Sequence, residues 1–139
     1  MVCVDWRFLK QAETVDEALA CVEADERTLK VWLGDALASR GLDRSVVIRR
    51  SRLNQTFAYQ IFAGARRPSR DKLIQLAFGI GLSVDETSEL LECGGVSALR
   101  HSCRRAVVVA FCLVRGLDVD TCDDMLWDHH EQTLVQADA

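Results

Sequence analysis

Between residues 54 and 63 the chain reads NQTFAYQIFA, and its polar residues fall at spacings that can do chemistry. On a helix turning about 100° per residue, Phe57, Ala58, Ile61 and Phe62 share one face, while Gln55, Thr56, Tyr59, Gln60 and Ala63 share the other. An uncharged outward face of two glutamines, a threonine and a tyrosine packs poorly. It also lacks the charges of an ordinary solvated helix. Glutamine can hold adenine through N6 and N7 together, and threonine can reach base edges or the thymine methyl. Arginines crowd both flanks. Arg44, Arg49, Arg50, Arg52, Arg66, Arg67, Arg70 and Lys72 stand against Asp71 alone, a surplus of seven cations in a chain whose net charge is −4. The rest therefore carries −11. Such a concentrated basic run creates a local potential that the total conceals, and it points to an anionic partner. The composition suits a helix lying in the major groove of double-stranded DNA, with phosphates on its flanks.

The elements that must position this stretch are helical. With 139 residues, one proline and eight glycines, the chain has few breakers and enough length to bury a core without staples. No window alternates apolar and polar residues as a half-buried strand would, so an all-α fold is expected. A signature recurs three times, as Gly41-Leu42-Asp43, Gly81-Leu82-Ser83 and Gly116-Leu117-Asp118. In each, glycine suits the left-handed residue ending one helix, leucine returns to the core, and Asp or Ser caps the next helix. Thr14-Val15-Asp16-Glu17 reads as a capping box opening a helix near the amino terminus. The coarse map places helices near 15–25, 27–40, 44–51, 54–63, 70–80, 84–92, 100–115 and 119–128. Leu29, Trp32, Leu33, Ala36 and Leu37 recur at helical spacing and are assigned to the core. The segments 70–91 and 105–126 share a pattern, but two copies without a repeat family's aromatic signature make two hairpins in one bundle, not a solenoid.

On these residues the central stretch resembles the lambda-repressor-like helix-turn-helix family, also called XRE-type regulators. The resemblance rests on Val47 in the first motif helix, Leu53 after the turn, Ile61 in the second helix and Gly64 ending it. It continues through Arg66-Arg67-Pro68-Ser69, the helix Asp71 to Ala77, and Gly81-Leu82-Ser83. It covers about residues 29 to 92 and is similar to small bacterial members with a helical tail. The resemblance implies a lambda-repressor-like bundle with additional N- and C-terminal helices, acting as a transcriptional regulator through sequence-specific DNA binding. It further implies that Gln55, Thr56, Tyr59 and Gln60 read bases, and that Arg44, Arg52, Arg66, Arg67, Ser69 and Lys72 hold phosphates. Family members are commonly homodimers that present two reading helices to a palindromic site. Three positions depart from the pattern: Ala58 replaces the usual branched apolar residue inside the motif and can compensate for the bulk of Ile48, and the other two are Ile48 and Arg52. Ile48 stands where a small residue is usual and demands a wider helix crossing. Arg52 stands at the turn glycine, where a left-handed backbone costs a non-glycine residue about 1 kcal/mol.

Gly94-Gly95 is the expected boundary, giving a helical extension at 1–28, a DNA-binding domain at 29–93 and a C-terminal helical hairpin at 96–139. In the hairpin, Arg104-Arg105 precede AVVVAFCLV, an apolar helix that must pack on the front module or on a second subunit. Asp118, Asp120, Asp123, Asp124 and Asp128 read as a solvated helix face with a cap at its start; folding back on the basic window is the less favoured alternative. His101, Cys103, Cys122, His129 and His130 match no common zinc spacing, and no nucleophile is accompanied by an oxyanion donor. No metal, cofactor, small-molecule ligand or enzymatic activity is therefore expected. The six cysteines form no C-x-x-C pair and are read mostly as buried thiols. The longest uncharged apolar stretch, Ala106 to Val114, is too short to span a membrane, and a cytoplasmic location is expected. The competing reading is a helical protein-interaction module that keeps the fold without DNA binding. Such a helix would present apolar anchors where this one presents hydrogen-bonding groups.

Overall fold

The computed structural model describes residues 13–135, with the backbone alone for 17–28. Seven α-helices and no strand occur among the described residues. They are α1 (Val15–Arg40), α2 (Arg44–Ser51), α3 (Gln55–Phe62), α4 (Arg70–Ile80), α5 (Val84–Cys93), α6 (Arg104–Val114) and α7 (Val119–Asp128). The fold class is all-α, as the composition and periodicity predict.

Helix ends follow local chemistry. Gly41, Gly81 and Gly116 all have positive φ, and the amides of Leu42, Leu82 and Leu117 each donate to a carbonyl five residues back, at 3.0 Å. This is the hydrogen-bond pattern that lets glycine end a helix and turns the following leucine inward. Ser83 and Glu86 form a reciprocal capping box, with Ser83 Oγ accepting from Glu86 N and Glu86 Oε1 accepting from Ser83 N, both at 3.1 Å. Asp118 Oδ1 accepts from Thr121 N at 2.8 Å. Helix α1 begins at Val15, directly after Thr14, while the side chain of Glu17 and the thiols of Cys3 and Cys21 lie outside the described residues.

Two expected boundaries are corrected. Residues 15–40 form one continuous helix rather than two, because no glycine or proline lies between Val15 and Arg27 to interrupt it. Helix α6 starts at Arg104 rather than near residue 100, and Cys103 occupies its N-cap with extended backbone.

Helix α4 holds the bundle together, packing on α2, α5 and α7, while α1 covers α3 and α5. Its apolar residues Leu73, Ile74, Leu76 and Ala77 are wholly buried. The same hydrophobic cluster runs on through Val109, Cys112, Leu113, Cys122, Leu126 and Leu134, so the hairpin α6–α7 shares its core with the helices before it. Arg105 fastens this junction. It donates to both carboxylate oxygens of Asp71, at 2.7 and 3.1 Å, and to the carbonyls of Gln132 and Thr133, at 2.8 and 3.2 Å. Asp123 accepts from the amides of Leu134 and Val135, at 2.7 and 3.1 Å. Among the described residues no helix is long and apolar enough to cross a membrane.

The α2–α4 crossing is close. A Cβ on Gly79 would lie 2.1 Å from Ser51 Oγ and 2.6 Å from the Val47 carbonyl, so only glycine fits. The buried Ser51 hydroxyl donates to that carbonyl at 2.6 Å, and Gln75 Nε2 donates to the Ser51 carbonyl at 2.9 Å. Ile48 and Ala58 are both buried. The close approach of α2 to α4 is thus made at Gly79, against Val47 and Ser51.

Candidate nucleic-acid interface

Helix α3 is capped by Asn54, whose side-chain oxygen accepts from Phe57 N at 3.1 Å. That cap fixes the rotation of the helix and hence which residues face out. Ala58, Ile61 and Phe62 point into the core. Gln55 and Thr56 are exposed, Tyr59 is 39% exposed, and Gln60 is half-buried. The polar stripe is therefore open to solvent for most of its length, with Gln60 at its inner edge. Its first two residues lie in the first turn of the helix, where backbone amides point outward.

The cations surround this face at different removes. Arg44 opens α2 and places its guanidinium 5.8 Å from the centre of the Phe62 ring. Arg66 and Lys72 both lie over Phe57, at 5.1 and 4.8 Å from its centroid. Arg67 and Ser69 are exposed, and Ser69 caps α4 by accepting from Lys72 N at 3.4 Å. Arg52 occupies the turn between α2 and α3 with φ 59° and ψ 26°, the left-handed conformation that favours glycine. Of the remaining basic residues, Arg70 donates to the carbonyls of Ser97 and Ala98 and so braces the connection to α6. Arg49 and Arg50 are exposed at the end of α2.

Arg52 does not point freely to solvent. Its Nη2 ion-pairs with Asp120 in the first turn of α7, the two side chains being 56% and 55% exposed. Asp118 lies in the same field: its carboxyl is held below the ordinary 3.8 mainly by hydrogen bonds from Thr121 and further by the Arg52 charge. The acidic segment is accordingly not a uniform solvated face. Asp118 caps α7, Asp120 meets Arg52 and Asp123 holds the tail, which leaves Asp124 and Asp128 as the members exposed without such a role. Sequence reading has contact between the acidic segment and the basic window only as its less favoured alternative and names neither the Arg52–Asp120 nor the Arg105–Asp71 pair, which join positions 68 and 34 residues apart. It also puts Phe57 simply in the core, where the structure has a half-buried ring under two cations.

Among the described residues no group of three or more His, Cys, Asp or Glu side chains is placed to hold a metal ion. Cys112 and Cys122 are buried in the α6–α7 hairpin, and desolvation pushes the pKa of both thiols up, that of Cys122 furthest, which keeps them protonated. Cys103 is exposed and Cys93 half-buried. The arrangement around α3 offers hydrogen-bond donors and acceptors on an exposed helix face, with cations beside them. No family model, curated protein or solved structure matches this chain, so the reading of its function rests on its own residues.

Proposed function

We propose that the protein is a sequence-specific double-stranded DNA-binding regulator of the lambda-repressor-like, XRE-type helix-turn-helix kind, with α2 and α3 as the motif and α3 entering the major groove. The observation that carries this reading is the α3 surface: exposed, uncharged and rich in hydrogen-bonding groups, with cations gathered at both ends. Gln55, Thr56, Tyr59 and Gln60 read base edges, and the half-buried stem of Gln60 restricts its rotamers and so sharpens its preference. Arg44, Arg66, Arg67, Lys72 and Ser69 contact phosphates, and Arg52 joins them when its pair with Asp120 opens. A protein-interaction role for the same face is less well supported, since it carries no apolar anchor outside the ring of Tyr59.

The protein acts as a homodimer in this reading. Helix α6 buries Ala106, Val109 and Cys112 against the bundle but exposes Val107, Phe111 and Val114 on its other face. These three, and the exposed Trp127 of α7, are apolar side chains that a second subunit could cover.

The test is selection of genomic duplex fragments by the purified protein, followed by fluorescence anisotropy on the selected and on scrambled sequences. Gln60→Ala should lower discrimination at one base pair by about 1–3 kcal/mol. Arg66→Ala should weaken all sequences alike and reduce the salt slope by about one unit. Equal affinity for selected and scrambled duplexes would refute specific recognition, and sedimentation as a monomer both free and on DNA would refute the dimer.

A further inference from the structure

We infer that Phe57 is a positioning residue whose ring gathers Arg66 and Lys72 into one dicationic seat for a single backbone phosphate. The inference rests on the DNA-binding reading and deepens it, by naming what presents two of the phosphate ligands. Arg66 comes from the loop after α3, and Lys72 from the first turn of α4. Their charged groups nevertheless approach the same ring, to 5.1 and 4.8 Å from its centroid. Two like charges beside one ring repel each other, and the negative faces of the ring offset part of that repulsion. What remains is a positive site that an anion completes.

The ring itself is held from two sides. Asn54 accepts from the Phe57 amide, fixing the start of α3, and the half-buried ring packs against the core cluster. Contact with a ring anchored in this way limits the freedom of the two cationic side chains, which reduces the ordering cost of binding. A carboxylate beside them would quench the seat. Asp71, the one acidic residue of the basic window, is the neighbour of Lys72 in the chain, yet both of its oxygens accept from Arg105 of α6. Arg105 is anchored in turn by the Gln132 and Thr133 carbonyls. The hairpin therefore occupies the carboxylate that adjoins Lys72 in the chain.

The experiment compares duplex affinity of the full chain across a salt series with substitutions at Phe57. Phe57→Leu keeps an apolar side chain but removes the ring face, and should lower affinity about five- to tenfold through the loss of two exposed cation–ring contacts. Phe57→Tyr keeps the ring and should stay within about twofold of the wild type. In an Arg66→Gln/Lys72→Gln background Phe57→Leu should have almost no further effect. Proton NMR of the free protein supplies a reading independent of DNA: Lys72 Hε resonances should be shifted upfield by the ring, and Phe57→Leu should abolish the shift. Equal losses from Phe57→Leu with and without the two cations would show that Phe57 merely supports the helix and would overturn the inference alone. An unshifted Lys72 side chain in the wild type would also overturn it. Absence of duplex binding by the wild type would overturn the DNA-binding reading and the phosphate seat with it, even if the ring shift were present.

Discussion

Asp120→Asn is the substitution that separates the two demands on Arg52. In the free protein this guanidinium is engaged by the first turn of α7; in the proposed complex it faces phosphate. Both partners are more than half exposed, so the pair is well screened and contributes about 0.2–1 kcal/mol at most. Its loss should lower the melting temperature by no more than a few degrees. The same energy no longer opposes release of Arg52 to DNA, which corresponds to a gain of up to about fivefold in affinity. One added phosphate contact should also steepen the dependence of log affinity on log salt by about 0.9. Asp118 still faces Arg52 in this variant, so the gain lies toward the lower part of that range. Anisotropy of a labelled duplex over a salt series measures both quantities. Arg52→Gln should remove the gain, and Arg52→Gln/Asp120→Asn should bind like Arg52→Gln alone. If Asp120→Asn leaves affinity and slope unchanged while Arg66→Gln weakens binding, Arg52 takes no part in holding phosphate.

Other consequences are accessible to stability measurements. Gly79→Ala should destabilise the fold by about 1–3 kcal/mol despite alanine's better helix propensity, because the new methyl meets Ser51 Oγ and the Val47 carbonyl; urea melts check this. In an Asp120→Asn background, which takes the ion pair out of the comparison, Arg52→Gly should raise stability by about 0.5–1 kcal/mol by relieving the left-handed backbone; a loss would contradict the strain assignment. The Glu86 carboxyl is held below its ordinary 4.5 by Arg40 and then by the Ser83 amide. Its contribution is therefore complete above 4.5 and disappears as pH falls through the lowered folded value, so the stability gap between wild type and Glu86→Gln should narrow on acidification. Mass-spectrometric mapping after brief treatment with a thiol reagent should find Cys103 modified well before Cys112 and Cys122, whose burial disfavours the thiolate.

Helix ends were legible in the sequence because the Gly-Leu-Asp and Gly-Leu-Ser joints act through a few adjacent atoms: a glycine at positive φ and an amide reaching the preceding turn. The exposed stripe of α3 was legible for a similar reason, since the 3.6-residue period assigns faces without knowledge of the neighbours. The fusion of 15–40 into one helix was not, as polar residues in mid-helix resemble a loop when no breaker decides the matter. The close approach of α2 to α4 was not legible either, because the residue that permits it, Gly79, lies on another helix. The long-range ion pairs were legible only in outline: the sequence offers a fold-back of the acidic segment on the basic window as the less favoured alternative, and the docking of α7 beside α4 decides that Asp120 meets Arg52.

The contact of Ser51, Gln75 and Gly79 bears on how α3 can meet a double helix. Ser51 ends α2 directly before the turn into α3, and it is cinched to α4 by a buried hydrogen bond and a backbone approach with no slack. Tilting the motif would break that bond in a dry environment, so on the DNA-binding reading the protein behaves as a stiff template. Adjustment must then come from the duplex, and sequences whose base steps bend or narrow easily would be favoured even at positions that no side chain touches.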